Sequence, residues 1–165
     1  ALFHCRFCRQ RITMPHDDSF RKHLHHIITA LEAWAKEMRP WADIEIDRID
    51  GAWRLSATPR VSTACPFEIV LRSDRRYDIR IGNEVYVDRS LDALTDIPQL
   101  VRSIANGRVI TRRWESWKTG LLYRVETIVD MPGSEGRFVR ENPDAPAVDD
   151  VELEAAIEAY APYRR

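Results

Sequence analysis

Residues 44–57 read Ile44-Glu45-Ile46-Asp47-Arg48-Ile49-Asp50-Gly51-Ala52-Trp53-Arg54-Leu55-Ser56-Ala57. Two alternating runs meet at Asp50-Gly51, the dipeptide best suited to a two-residue hairpin turn because both central residues must take φ > 0. With Ile49 and Ala52 flanking the turn, Ile46 faces Leu55 and Ile44 faces Ala57 on one side of the ribbon. On the other side Asp47 falls opposite Arg54, a favourable cross-strand pair. Turn, register and charge agree, so an antiparallel sheet with one apolar and one polar face is the starting point.

Working outward, the preceding segment predicts a helix from about Asp18 to Met38. Phe20, Leu24, Ile27, Ile28, Leu31, Ala35 and Met38 recur at the spacing of one helical stripe, Asp17 or Asp18 can cap it, and Pro40 ends it. Downstream, Phe67–Leu71 and Tyr77–Ile81 alternate with period 2 around Ser73-Asp74-Arg75, which sets Glu68 opposite Arg80. A short continuation at Val85–Asp88 follows a turn at Gly82-Asn83. A second helix is predicted from about Asp96 to Asn106, with Pro98 in its first turn and Gly107 just beyond its end.

A third hairpin is predicted over Arg108–Asp130, turning at Lys118-Thr119-Gly120. It pairs Trp117 with Leu121, Arg113 with Val125 and Val109 with Val129; the opposite face pairs Arg112 with Glu126, Trp114 with Arg124 and Ile110 with Ile128. Residues 131–148 read as a loop or linker rich in Pro, Gly and Asp. A last helix is expected from about Asp150 to Ala161, with a capping-box spacing at Asp149 and Glu152 and with Leu153, Ala156, Ile157 and Tyr160 as its apolar side.

The expected architecture is α+β, a two-layer sandwich in the order α-β-β-β-β-(β)-α-β-β-α. It has a mostly antiparallel sheet of about six strands and three helices packed on one face. The expected organisation is a tail over 1–13, disordered or from a misassigned start since Met14 opens the domain-like sequence, and a core domain over 14–130. A linker over 131–148 and a C-terminal helix over 149–165 follow. This order of elements resembles that of the small secretion chaperones that dimerise and wrap an unfolded effector segment. The resemblance is one of topology alone and implies no site residues.

The 165 residues suffice for one self-supporting core. A formal charge of −1 disfavours a general grip on nucleic acid or anionic membrane. Charge is nonetheless uneven. From Arg102 to Arg124 six basic residues stand against one acid, Glu115, whereas from Glu126 onward ten acids stand against four arginines. The odd, sparse cysteines Cys5, Cys8 and Cys65 are no disulfide framework and fit a reducing, cytoplasmic setting. No apolar run has the length of a membrane span.

Several motifs fail on physical grounds. Cys5-Arg6-Phe7-Cys8 is half of a zinc site, but His16 and His23 are seven residues apart, outside zinc-finger spacing, so no metal is assigned. His25 and His26 point away from the helix stripe and share no face. Ser19-x-x-Lys22, Ser73-Asp74 and Lys118-Thr119-Gly120 imitate the β-lactamase set, yet the third is best explained as a hairpin turn and the chain is too short. No phosphate loop, nucleophile elbow or zinc-protease motif occurs, no cofactor is implied, and enzyme chemistry is unsupported.

The third hairpin interleaves cations with aromatics, a composition that grips anions. The candidate binding residues are Arg112, Arg113, Trp114, Glu115, Trp117, Tyr123 and Arg124. Trp41, Trp53 and Trp114 supply more large aromatics than the core requires, which points to an interface. The leading expectation is a noncatalytic binding domain for a protein partner or a second copy, using the exposed sheet face or this hairpin. A pocket between sheet and helices near Arg113, Glu115 and Tyr123, serving a small ligand or an enzyme, is the first alternative. Nucleic-acid binding by the hairpin is the second.

Overall fold

In the computed structural model, residues 15–91 and 96–165 are described. The order is α1 (Pro15–Met38), β1 (Ala42–Ile49), β2 (Ala52–Pro59), β3 (Phe67–Leu71), β4 (Arg76–Ile81), β5 (Glu84–Ser90) and α2 (Ile97–Ala105). Then follow β6 (Val109–Ser116), β7 (Leu122–Met131), β8 (Ser134–Glu141), a 3₁₀ turn (Asp150–Glu152) and β9 (Leu153–Ala159). The residues of the Cys5 and Cys8 motif, the 1–13 tail and the His16 side chain lie outside what is described.

The fold is α+β and antiparallel, but the single sheet of about six strands is corrected to two sheets. One is a five-stranded meander, β1-β2-β3-β4-β5; the other is four-stranded in the order β8-β7-β6-β9. The opening hairpin has the register its sequence dictates, Ile46 on Leu55, Ile44 on Ala57 and Asp47 on Arg54. Asp50 and Gly51 both take positive φ, 49° and 79°. Glu68 likewise opposes Arg80. β5 runs longer than expected and is bulged against β4, with Asp88 at φ 54°.

Three helices become two, since among the described residues the last one is absent: residues 153–159 form β9, paired along its whole length with β6. The spacing of Leu153, Ala156, Ile157 and Tyr160 is genuinely helical, and Ala and Glu favour that state. Tertiary context overrides it because β6 offers an open ladder and the residues after β9 are anchored. The Ala161 N–H donates to Thr63 O, the Tyr163 N–H to Ala105 O, and the Tyr163 hydroxyl to Cys65 O. The 131–148 linker is corrected too. Pro132-Gly133, with Gly133 at φ 75°, closes a tight turn between β7 and β8, and Phe138 of β8 is buried. With these changes the order of elements departs from the expected one after β7.

One core joins all layers. Ile27, Leu31, Trp34, Ala35 and Met38 of α1 and Leu100, Val101 and Ile104 of α2 meet the inner side of the meander, including Leu55, Phe67, Ile69, Ile79 and Ile81. Val109, Val129 and Phe138 bring the inner side of the second sheet into the same cluster. The sheets touch directly where Tyr86 and Thr127 share a hydroxyl hydrogen bond of 2.8 Å and the Tyr86 and Phe138 rings lie 5.2 Å apart. Among the described residues no helix is long and apolar enough to cross a membrane.

Candidate functional site: the outer face of the four-stranded sheet

Strand alternation sorts the third hairpin into two faces. Val109, Thr111 and Arg113 of β6 point to the core side with Val125, Thr127 and Val129 of β7. Ile110, Arg112 and Trp114 point outward with Ile128, Glu126 and Arg124. The same register places Arg137 and Val139 of β8, and Ala155, Ile157 and Ala159 of β9, on the outer face. The chain crosses from β8 to β9 past the hairpin end, where Asn142 Nδ2 donates to Leu122 O and Trp117 Nε1 to Val151 O. That path leaves the outer face uncovered.

At its centre Glu126 is 1% exposed, although it stands on an uncovered face. Its cover is made of side chains. Trp114 Nε1 donates to Oε1 at 2.8 Å, Arg137 Nη2 to Oε2 at 2.8 Å, and Arg112 Nη2 to Oε2 at 3.5 Å. Arg124 Nε lies 2.9 Å from Oε1 without the alignment to donate. The guanidiniums of Arg124 and Arg112 also sit over the Trp114 ring, 5.2 and 5.8 Å from its centroid. Burial by itself would raise the Glu126 pKa. The Trp114 bond and the charges of Arg137, Arg112 and Arg124 outweigh it and hold the carboxyl below its usual range.

One carboxylate thus serves three guanidiniums, and the centre of the face keeps a local excess of positive charge. Glu141, opposite Arg124, and Asp130 and Glu135, at the far end, bound this excess. The Nε atoms of Arg112 and Arg124 are buried with no hydrogen-bond acceptor among the described residues. The groups that a carboxylate or phosphate oxygen from outside can reach are the guanidinium ends that stay partly open, with Arg137 55% and Arg124 34% exposed.

The remaining candidate residues divide between two other places. Arg113, on the core side, reaches Glu84 Oε1 at 3.7 Å, and Arg140 holds the same carboxylate at 2.9 and 3.3 Å. This buried Glu84 therefore ties β5 to β6 and β8 across the two sheets. Trp117, Glu115 and Tyr123 lie at the hairpin end. There the expected Trp117–Leu121 pair is replaced by a bulge that sets Glu115 against Leu122 and leaves Tyr123 as the extra residue. Trp117 and Lys118 instead fasten the start of β9, Lys118 Nζ lying 2.9 Å from Glu152. A depression of about 360 Å³ there is lined by Glu115, Trp117, Gly120 and Glu154, and neither Arg113 nor Tyr123 borders it.

The polar outer face of the five-stranded sheet is internally compensated. Arg54 joins Asp47, Glu68 and Glu45, and Arg72 joins Asp74, Asp78 and Asp88. Of the surplus tryptophans Trp53 is buried in the core, and Trp41 is covered by the Arg164 guanidinium 4.4 Å from its ring centre. Glu126 was visible in the sequence as the partner of Arg112. Arg137, Arg140 and Glu84 were not, because two of them sit in the segment read as a loop. No family model matches the chain, and no curated protein and no solved structure matches it.

Proposed function

We propose that this chain is a noncatalytic binding domain that engages an acidic partner protein through the outer face of the four-stranded sheet. The supporting observation is the Glu126 cluster, in which Arg112, Arg124 and Arg137 converge on one carboxylate and leave surplus positive charge on partly exposed guanidiniums. The neighbouring Ile110, Val139 and Ile157 add apolar contact around the charged centre, the usual anatomy of a protein interface. Arginine beside tryptophan is also the composition that dominates interface energetics.

The reading is tested by titrating the protein with a Glu/Asp-rich peptide and, separately, with a single-stranded oligonucleotide. The peptide is expected to quench Trp114 fluorescence and to bind less tightly as salt rises. Arg137→Ser, at the most exposed of the three arginines, is expected to weaken it at least about fivefold, the equivalent of 1 kcal/mol. Peptide binding that ignores Arg137→Ser would overturn the assignment of the face. Preference for the oligonucleotide would move the function to nucleic acid. Saturable binding of a small molecule lost only on substituting Arg113 or Glu115 would favour the pocket reading instead.

A further inference from the structure

We infer that the free edge of β9 accepts an extended segment of a partner protein in which basic residues alternate with apolar ones, adding a fifth strand to the sheet. The main-chain geometry comes first. The Trp117 N–H donates to Glu152 O across the β6–β9 boundary at 3.1 Å, so the even-numbered residues of β9 direct their backbone groups toward β6. The Ala161 N–H, on the odd-numbered phase, bonds Thr63 on the opposite side at 3.0 Å. Ala155, Ile157 and Ala159 therefore present N–H and C=O away from β6. β9 is the terminal strand of its sheet, and no described backbone group takes these up.

Apart from the two acids Glu154 and Glu158, this edge lacks the usual defences against strand addition. Residues 153–159 contain no proline, no lysine and no positive φ, and the ladder with β6 runs without a shift. The other edges are guarded. β5 carries a bulge and the left-handed Asp88; β1 carries Asp43, Glu45, Asp47 and Arg48; β8 carries Glu135, Arg137, Arg140 and Glu141.

The side chains of β9 state what should pair with it. Its outer side shows Ala155, Ile157 and Ala159, with Ile157 63% exposed, so an added strand meets small and apolar surface there. Its inner side shows Glu154, Ala156 and Glu158. Glu154 stands directly opposite Glu115, and neither has an ion-pair partner among the described residues. Like charges facing each other across a ladder are unfavourable, and a cation placed opposite relieves them. The depression lined by Glu115, Glu154 and Trp117, whose ring already carries Lys118 Nζ 5.3 Å from its centre, gives a basic side chain room beside the two carboxylates. A second copy of β9 would bring more carboxylates and no cation to this side, which argues for a different chain as the occupant.

The experiment uses the full chain and an eight-residue peptide alternating Lys and Val, followed by amide exchange measured residue by residue. Adding the peptide should slow exchange at Ala155, Ile157 and Ala159 about tenfold or more, because those amides pass from water into a ladder. A peptide N-methylated on its pairing amides should not bind. The exposed pair Glu154→Lys with Glu158→Lys should turn the preference toward a Glu-Val peptide. The proposal is overturned if the three amides are unaffected, if N-methylation makes no difference to their protection, or if Glu-Val protects these three amides of the native chain as well as Lys-Val does. It is equally overturned if those amides are already protected in the free protein, as a second copy or residues 1–14 on the edge would cause. Because the readout is protection of the β9 amides and not total peptide binding, it is separate from the acidic-partner reading, whose signal lies at the outer-face arginines.

Discussion

At the scale of single residues, Glu126 carries the largest electrostatic burden. Its pKa lies below the unfolded value, so the stability it contributes is fully present above about pH 4.5, the unfolded carboxyl value, and is lost as pH falls through the lower folded one. Glu126→Gln keeps the shape and the Trp114 contact but leaves three guanidiniums uncompensated. Because the arginines are themselves a third to a half exposed, the loss near neutral pH should be roughly 1–3 kcal/mol, below that of a fully buried pair. Denaturant melts of both proteins from pH 7 to pH 3 should show that gap closing below about pH 4.5. A gap that does not shrink at all as pH falls below about 4.5 would mean that packing, not charge, sets the effect. Cys65 is the contrasting case: burial pushes its thiol up to about 12, which marks it as an inert core residue.

At the scale of elements, legibility followed how local the determining interactions are. The hairpin at Asp50-Gly51 was readable because turn chemistry and cross-strand charge lie within a few residues of each other. α1 was readable because its stripe is regular; Trp34, which the stripe omitted, is buried with it. β8 hid behind Pro132-Gly133, a turn signal that read as the start of a linker when it closes a hairpin. β9 was illegible in principle, since its strand state depends on an open β6 edge and on anchors at Thr63, Cys65 and Ala105. The Arg/Trp hairpin was legible as a register, while the cluster it builds was only half visible without Arg137. Gly107 shows how tightly the final segment is held. It takes φ 75°, and an added Cβ would meet Pro162 N and Tyr160 O at 2.9 Å, whereas Gly120 takes φ 73° with open space around it. Gly120→Ala should therefore cost only the left-handed backbone term, roughly 1–2 kcal/mol, and Gly107→Ala distinctly more. Chemical denaturation of the two variants compares them directly, and equal losses would show that the 160–163 segment yields without cost.

At the scale of the whole molecule, the two sheets are closed in different ways. Every pairing in the five-stranded meander joins neighbours in sequence, while the second sheet needs β9 to return to β6 and Tyr163 to reach Cys65, 98 residues away. Chain closure over short loops is entropically cheaper than over long ones, and local topologies form faster. Pulse-labelled refolding should accordingly protect β1–β5 amides before those of β9, and simultaneous protection would contradict this order. Return of the 160–163 segment is then the step that seals the core. Until it occurs, the molecule is a nascent sheet with an open β6 ladder, and that interval is when misassembly with other unfinished chains is most easily seeded.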